Sequence, residues 1–217
     1  MNTTCSKCSS LGLQFYSKNI SPAEYIEGNS NADIWIIGLN PKNEIGHIEE
    51  RTKEDFEKFT PESHPYFADF KKVSNDLYEN WIGKNNRIAH TDLVKCFSNS
   101  FPPEINIEGK LKKLKKTEII KNCSEHLYKQ IQNSKPKMII CNGAPVSWEM
   151  VRIFPPKKDN VDIKSLTSYK TDVKFKNGET HQFWILLSGF IGRIDDWSKR
   201  RLGKEIEEIL EKEAIKF

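Results

Sequence analysis

No stretch of this chain is apolar for long enough to cross a membrane: the longest such run covers residues 34–39, against the roughly 20 residues that a spanning helix needs. The first residues lack the apolar run of a secretion signal, so a cytoplasmic protein is expected. Internal repeats and low-complexity tracts are also missing, which sets aside solenoids and disordered linkers. Charge of one sign is not in marked excess, and a net charge of +4 is by itself a weak argument for a nucleic-acid partner. Cysteine is scarce, five residues in 217. In a reducing compartment so few are poor material for disulfides, and a close C-x-x-C pair points instead to metal binding or redox chemistry. What remains, 37% hydrophobic and 29% charged residues, is ordinary globular composition, and the length suits one α/β core in one domain.

Four apolar runs, residues 33–38, 87–94, 137–142 and 183–188, have the length and β-branched content of buried strands. Residues 66–81, 117–134, 145–153 and 197–215 carry apolar side chains at helical spacing, and Gly143 and Pro145 punctuate a strand-to-helix turn. This alternation predicts a mostly parallel central sheet with helices on both faces, a three-layer α/β/α sandwich. Asn177-Gly178, between residues 169–175 and 181–187, is a hairpin signal that adds one antiparallel strand. Sites in such sheets lie beyond the carboxyl ends of the strands.

Cys5 and Cys8 form the C-x-x-C pair, Cys96 ends the stretch that begins at His90, and Cys123 lies in the helical stretch 117–134. Two thiolates on one turn supply half of a tetrahedral ligand set, and two distant cysteines can complete it. Cys141, at the end of an apolar strand, reads as core. Charge is clustered even though its total is small. Lys110, Lys112, Lys113, Lys115 and Lys116 crowd the 26 residues between Cys96 and Cys123, and Lys199, Arg200 and Arg201 form a second group. Fixed cations gain affinity for a phosphate chain by releasing its counterions, which makes these candidate backbone contacts. The other reading of the first group is a solvated, lysine-rich helix start.

Together these segments resemble the uracil-DNA glycosylase superfamily. The cysteine pattern is similar to its iron-sulfur branch, in which an N-terminal C-x-x-C and two later cysteines hold a [4Fe-4S] cluster. Thr91-Asp92-Leu93-Val94-Lys95-Cys96 resembles the T-N-x-V-K-C segment of that branch, and Gly38-Leu39-Asn40-Pro41 looks like the G-x-N-P loop of the mismatch-specific and single-strand-selective branches. The resemblance implies a uracil-DNA glycosylase-like fold acting on DNA, without a membrane, as a nucleoid-associated monomer. It implies a [4Fe-4S] cluster on Cys5, Cys8, Cys96 and Cys123 that braces DNA-touching loops; Zn2+ is the competing metal, since four thiolates satisfy it equally well.

Site residues follow by the same resemblance. Asn40 positions the hydrolytic water, with Leu39 beside the base, while Glu44, Glu49 and Glu50 are nearby acids that could supply a true base. Asp92 stands where the family's asparagine reads the uracil edge. An ionised aspartate has no donor for O4 but accepts well from the N4 amino group of cytosine. Excision of ordinary cytosine would ruin the host genome, so a bulky 5-substituent, as in the glucosylated hydroxymethylcytosine of phage DNA, is the natural mark. Tyr66 or Phe67 would stack on a flipped base, and the inserted segment 49–63 suits a lid or pocket rim. The H-P-S histidine has no counterpart in Leu187-Ser188-Gly189-Phe190-Ile191-Gly192-Arg193. Ser188, or the N–H groups of Gly189 and Phe190, would donate to the departing base instead, with Phe190 or Ile191 as a wedge in the duplex, Arg193 on DNA, and His181, His47 or His64 as substitute cations.

The first reading is therefore a monofunctional DNA glycosylase for a modified cytosine. Its alternatives are repair of uracil or another deaminated base and, in a different class, a catalytically degenerate DNA-binding module.

Overall fold

A computed structural model describes residues 5–11, 13, 15, 17–41, 50–82, 87–98, 100–113, 115–157 and 165–215. Its strands are β1 (Glu27–Gly28), β2 (Ile34–Gly38), β3 (Ile88–Asp92), β4 (Glu104–Ile107), β5 (Lys110–Lys113), β6 (Met138–Cys141), β7 (Ser168–Lys174) and β8 (Thr180–Leu186). The helices are α1 (Lys53–Glu57), α2 (Phe70–Val73), α3 (Asn75–Ile82), α4 (Lys116–Ser134), α5 (Ala144–Ile153) and α6 (Asp196–Lys212). Six strands make one sheet in the order β1-β3-β2-β6-β8-β7. The inner pairs β3/β2, β2/β6 and β6/β8 are parallel, and both edges, β1 and β7, are antiparallel.

Alternation along the strands divides the core into two layers. Trp35 and Ile37 of β2, Ala89, Ile139 and Ile185 face the layer beneath α4 and α5, together with Cys8, Cys96 and Cys123. Ile34 and Ile36, Ile88, Met138 and Ile140 face the opposite layer beneath α2, α3 and α6. Both faces of the central strands are covered, which is why β2 and β6 read as continuous apolar runs. The sandwich has the three α/β/α layers that the alternation predicts.

Three departures have local causes. The sequence predicts one antiparallel strand, but the two-residue β1 adds a second by pairing with β3; it is too short to show a period. The single helix expected over 66–81 is a 3-10 turn (Pro65–Phe67) followed by α2 and α3. Ser74 breaks it: its backbone is extended, and its Oγ accepts the Leu77 N–H to start α3. The lysine-rich stretch is neither loop nor helix start up to Lys113, because β4 and β5 form a hairpin turning at Glu108 and Gly109, both at positive φ.

Gly203 of α6 lies against the end of α2, and a Cβ there would sit 1.9 Å from the Val73 carbonyl oxygen. Helix propensity alone favours alanine over glycine by about 1 kcal/mol, but this overlap must force the helices apart. Gly203→Ala is expected to destabilise the protein by about 1–3 kcal/mol, read from urea denaturation. A stabilised variant would show that the two helices do not pack this closely.

Candidate active site

Because β3, β2, β6 and β8 run parallel, their carboxyl ends share one edge of the sheet. A cavity of about 370 Å³ opens there, walled by Leu39, Asn40 and Pro41 after β2, His90 and Asp92 of β3, Asn142 and Gly143 after β6, and Phe190 and Arg193 beyond β8. Tyr25, Glu27, Phe59, His64, Tyr66 and Phe67 line it too, with Pro145 and Val146 at the start of α5. At roughly 30 Å³ per water, this is more room than a bare pyrimidine ring fills.

The floor is made by a row of buried ionisable groups. His90 and Asp92 are two apart on β3, so both side chains project from one face. Glu27 stands directly across the β1/β3 ladder from His90, and its Oε2 lies 2.8 Å from His90 Nδ1. Arg51 caps the other carboxylate oxygen at 2.7 Å and lies over the Phe56 ring. His90 Nε2 is 3.9 Å from Asp92 Oδ1, and the Tyr25 hydroxyl donates to Asp92 Oδ2 at 3.1 Å. Gly38 is the register partner of Asp92, and a Cβ there would fall 2.3 Å from Asp92 Oδ1. The first residue of G-x-N-P is thus glycine because the carboxylate occupies the space beside it.

Environment drives the two carboxyls apart. Burial alone would raise the Glu27 pKa, but the hydrogen bond and charge of His90, together with Arg51, hold it at about 2. Burial pushes Asp92 up, reinforced by the charge of Glu27 and opposed by His90, Lys95 and the Tyr25 hydroxyl. Beside them, Asn40 is buried, and its amide nitrogen donates to the carbonyls of Pro41 (3.1 Å) and Ser98 (2.7 Å). Only its carbonyl oxygen is left to offer the cavity. Tyr66 packs on Phe190 at a centroid distance of 4.8 Å, forming a half-exposed aromatic mouth. Phe67 is buried against Trp81, Phe70 and His90 and belongs to the wall.

Thus the structure gathers Leu39, Asn40, Tyr66, Phe67, Asp92, Phe190 and Arg193 around one cavity. Other candidates are placed elsewhere. Ser188 is not on the cavity wall: its N–H donates to Ser147 Oγ, which donates back to its carbonyl. Ile191 is fully buried in the core, where it cannot project as a wedge. Lys199 is buried with its ammonium 3.4 Å from Asp69, and Lys116 is paired with Glu149 at 2.8 Å. Lys112 and Lys113 stand exposed on β5, and Lys115 and Arg200 are exposed too. His181 meets the Pro136 carbonyl away from the cavity, and Glu50 pairs with Lys18 at the surface. Glu44, His47 and Glu49 lie outside the described residues. From residue 50 the inserted segment packs beside the cavity, with Phe56 and Phe59 buried and Arg51 reaching Glu27.

The four cysteines Cys5, Cys8, Cys96 and Cys123, all free thiols, gather at one end of the core layer under α4. Cys8, Cys96 and Cys123 are buried there, with Cys5 packed against them. Asn122 donates to Cys8 Sγ at 3.3 Å, and Cys5 Sγ lies 3.5 Å from His126 Nε2. Burial pushes the Cys96 thiol well up, and Cys123, Cys8 and Cys5 push it further; burial also holds Cys123 at about 11. Among the described residues no three His, Cys, Asp or Glu side chains close tightly on a point as ligands of one ion. As a donor set, four sulfurs brought to one patch have the chemistry of thiolate ligands, although their described positions do not close around one ion. Lys95 joins this patch to the cavity floor: buried, it donates to Thr91 Oγ1, the Asp92 carbonyl and Gln130 of α4.

Sequence reasoning missed Glu27, His90, Asn142 and Phe59. His90 carried a signal, since it sits two residues before Asp92 on a strand; Glu27 carried none, because only the β1/β3 pairing brings it there. The two carboxyls make opposite predictions for stability. Glu27 titrates lower in the folded state, so its contribution is fully present above its unfolded pKa near 4.5 and is lost as pH falls toward about 2. Glu27→Gln is expected to cost a few kcal/mol at pH 7, with the gap to the parent closing between about pH 5 and pH 2. Asp92 titrates higher when folded, so ionisation penalises the folded state at neutral pH, and Asp92→Asn is expected to raise the melting temperature at pH 7 but not below its unfolded value. Shifts of the same sign in thermal melts of both variants across that range would contradict this electrostatic account.

No helix among the described residues is long and apolar enough to cross a membrane, and no curated protein matches the chain. The family model of the uracil DNA glycosylase superfamily matches residues 25–188, from the tyrosine that holds Asp92 to the end of the strand-β8 segment. With three quarters of its length inside that match and its cavity at the shared strand edge, the chain belongs to the uracil DNA glycosylase superfamily.

Proposed function

We propose that the protein is a DNA glycosylase that hydrolyses the N-glycosidic bond of a 5-modified cytosine, such as glucosylated hydroxymethylcytosine in phage DNA, and leaves an abasic site. The observation that carries this is the Asp92 carboxyl on the cavity wall, in the segment where the family resemblance puts the base-reading asparagine. As a carboxylate it accepts from N4 and has nothing to donate to the O4 of uracil. The volume of the cavity supports a base with a substituent.

The chemistry asks little acid-base work of the protein. The bond passes through an oxocarbenium-like sugar: its electron pair leaves with the base, a water oxygen bonds to C1′, and the water's proton passes to solvent. Asn40, its amide nitrogen held by two carbonyls, orients that water through Oδ1. Tyr66, braced by Phe190 at the mouth, offers its ring to the flipped base. Arg193 at the mouth and the exposed Lys112, Lys113, Lys115 and Arg200 meet phosphates. Cys5, Cys8, Cys96 and Cys123 would hold a [4Fe-4S] cluster, with zinc the alternative. The cluster would brace the segment Lys95 ties to the floor, without redox work in catalysis.

A second reading, removal of uracil, draws on the same carboxyl. Burial raises its pKa, and a protonated Asp92 would offer both donor and acceptor, as asparagine does.

Abasic-site formation on matched oligonucleotides carrying uracil, cytosine, hydroxymethylcytosine or its glucosylated form decides between them. Cleavage of the modified cytosines alone is the expected result; cleavage of uracil alone would return the protein to base-excision repair. Asn40→Ala is expected to slow cleavage at least about 100-fold with DNA binding intact, and unchanged activity would remove Asn40 from the mechanism. A broad visible absorbance band that bleaches on reduction is expected of the purified protein; a colourless zinc protein would refute the cluster.

A further inference from the structure

We propose that His90 and Asn142 contact the base, gripping it from opposite walls of the cavity: His90 Nε2 hydrogen-bonds a hydroxyl on the 5-substituent, and Asn142 donates to O2. The inference rests on the glycosylase reading and goes beyond it in naming what recognises the modification and what receives the leaving charge.

Two facts carry it. Among the described residues, His90 Nε2 and Asn142 Nδ2 are buried side-chain nitrogens with no hydrogen-bond partner, and both residues line the cavity. They are 5% and 2% exposed, and the other end of each is already committed: His90 Nδ1 to Glu27 at 2.8 Å, Asn142 Oδ1 to the Ile191 N–H at 2.9 Å. Flipping either side chain to satisfy the orphan would break the bond at its other end. A buried polar nitrogen left unpaired is costly, and two facing one cavity are best explained by a ligand that pairs them.

Their placement fits one pyrimidine. β3 and β6 flank β2, with His90 level with Ile36 and Asn142 one step past Cys141, so the two residues stand two strand spacings apart across the sheet and two residues apart along it, roughly 12 Å at the backbone, a width that a substituted ring with a hydrogen bond at each end spans. On a cytosine, O2 lies across the ring from the 5-substituent, while the N4 amino group neighbours that substituent. Asp92 and His90 reproduce this neighbourhood, an acceptor and a ring nitrogen 3.9 Å apart. With Nδ1 held by Glu27, the His90 ring presents Nε2 to the substituent hydroxyl as Asp92 accepts from N4. When the C1′–N1 bond breaks, its electron pair enters the ring and charge grows on O2, where the Asn142 amide donates. The histidine absent from the segment after β8 is thereby replaced from the neighbouring strand β6.

Variants separate the two roles. His90→Asn keeps a donor where Nδ1 meets Glu27 and removes Nε2, whereas His90→Gln keeps a donor nearer Nε2. Asn142→Asp keeps Oδ1 for the Ile191 N–H and removes the amide donor. In single-turnover cleavage, His90→Asn is expected to reduce the preference for hydroxymethylcytosine over cytosine about 100-fold or more, with partial recovery in His90→Gln. Asn142→Asp is expected to lower the rate constant about 100-fold on every cleaved base with little change in KM. Equal losses on all bases for His90→Asn, or a KM effect alone for Asn142→Asp, would overturn the assignment. Nitrogen-15 NMR of the parent protein with free 5-hydroxymethylcytosine gives a readout without catalysis: both the His90 Nε2 and Asn142 Nδ2 signals should shift, and free cytosine should move His90 less. If the parent makes no abasic site on any oligonucleotide, the glycosylase reading fails while these shifts still judge the grip; signals unmoved by the free base overturn it.

Discussion

Asp92 is a carboxyl buried at the end of a parallel strand, and the site is arranged around the difficulty of keeping it there. Desolvation works against its charge, so the surroundings supply compensation from three directions: the Tyr25 hydroxyl, the His90 ring and the Lys95 ammonium. His90 holds its place because Glu27 pairs with it across the sheet edge, and Glu27 stays ionised because Arg51 and His90 share it. Gly38 leaves room for the carboxylate where any side chain would collide with it. Removing one member strands the next one in a low dielectric, where an unpaired charge is costly.

The same constraint links the cavity to the cysteine patch. Lys95 lies between them, holding the Asp92 carbonyl on one side and Gln130 of α4 on the other, while Cys96 follows it and Cys123 sits on that helix. A thiolate-bound group on these cysteines would fix α4, the N-terminal segment and the end of β3 as one unit. On the proposed reading its work is mechanical, and the base edge is presented by a strand that cannot drift.

Much of the fold was legible because its signals are local. Apolar runs with β-branched residues marked β2, β3, β6 and β8 within two or three residues at either end, and Asn177-Gly178 marked the β7/β8 turn. Signals failed where tertiary context decides. Ser74 divides a helical pattern that continues through it, and Glu108-Gly109 turns a lysine-rich stretch into a hairpin. In the site, Asn40, Asp92, Tyr66 and Phe190 could be named because each lies in or beside a recognisable segment. Glu27, Asn142 and Phe59 could not, since their roles depend on which strands become neighbours. Ile191 and Lys199 misled for the converse reason: the family resemblance gave one a wedge's task and the charge cluster gave the other a phosphate contact, and packing buries both.

The central claim is that the Asp92 carboxylate sets which base edge the cavity accepts. Its most direct test is Asp92→Asn assayed for abasic-site formation on uracil, cytosine and hydroxymethylcytosine in the same duplex. The account predicts that the variant gains cleavage of uracil and loses that of the modified cytosine, because an amide restores a donor for O4. A variant that keeps the parent's order of preference would show that Asp92 supports the floor of the cavity without reading the base.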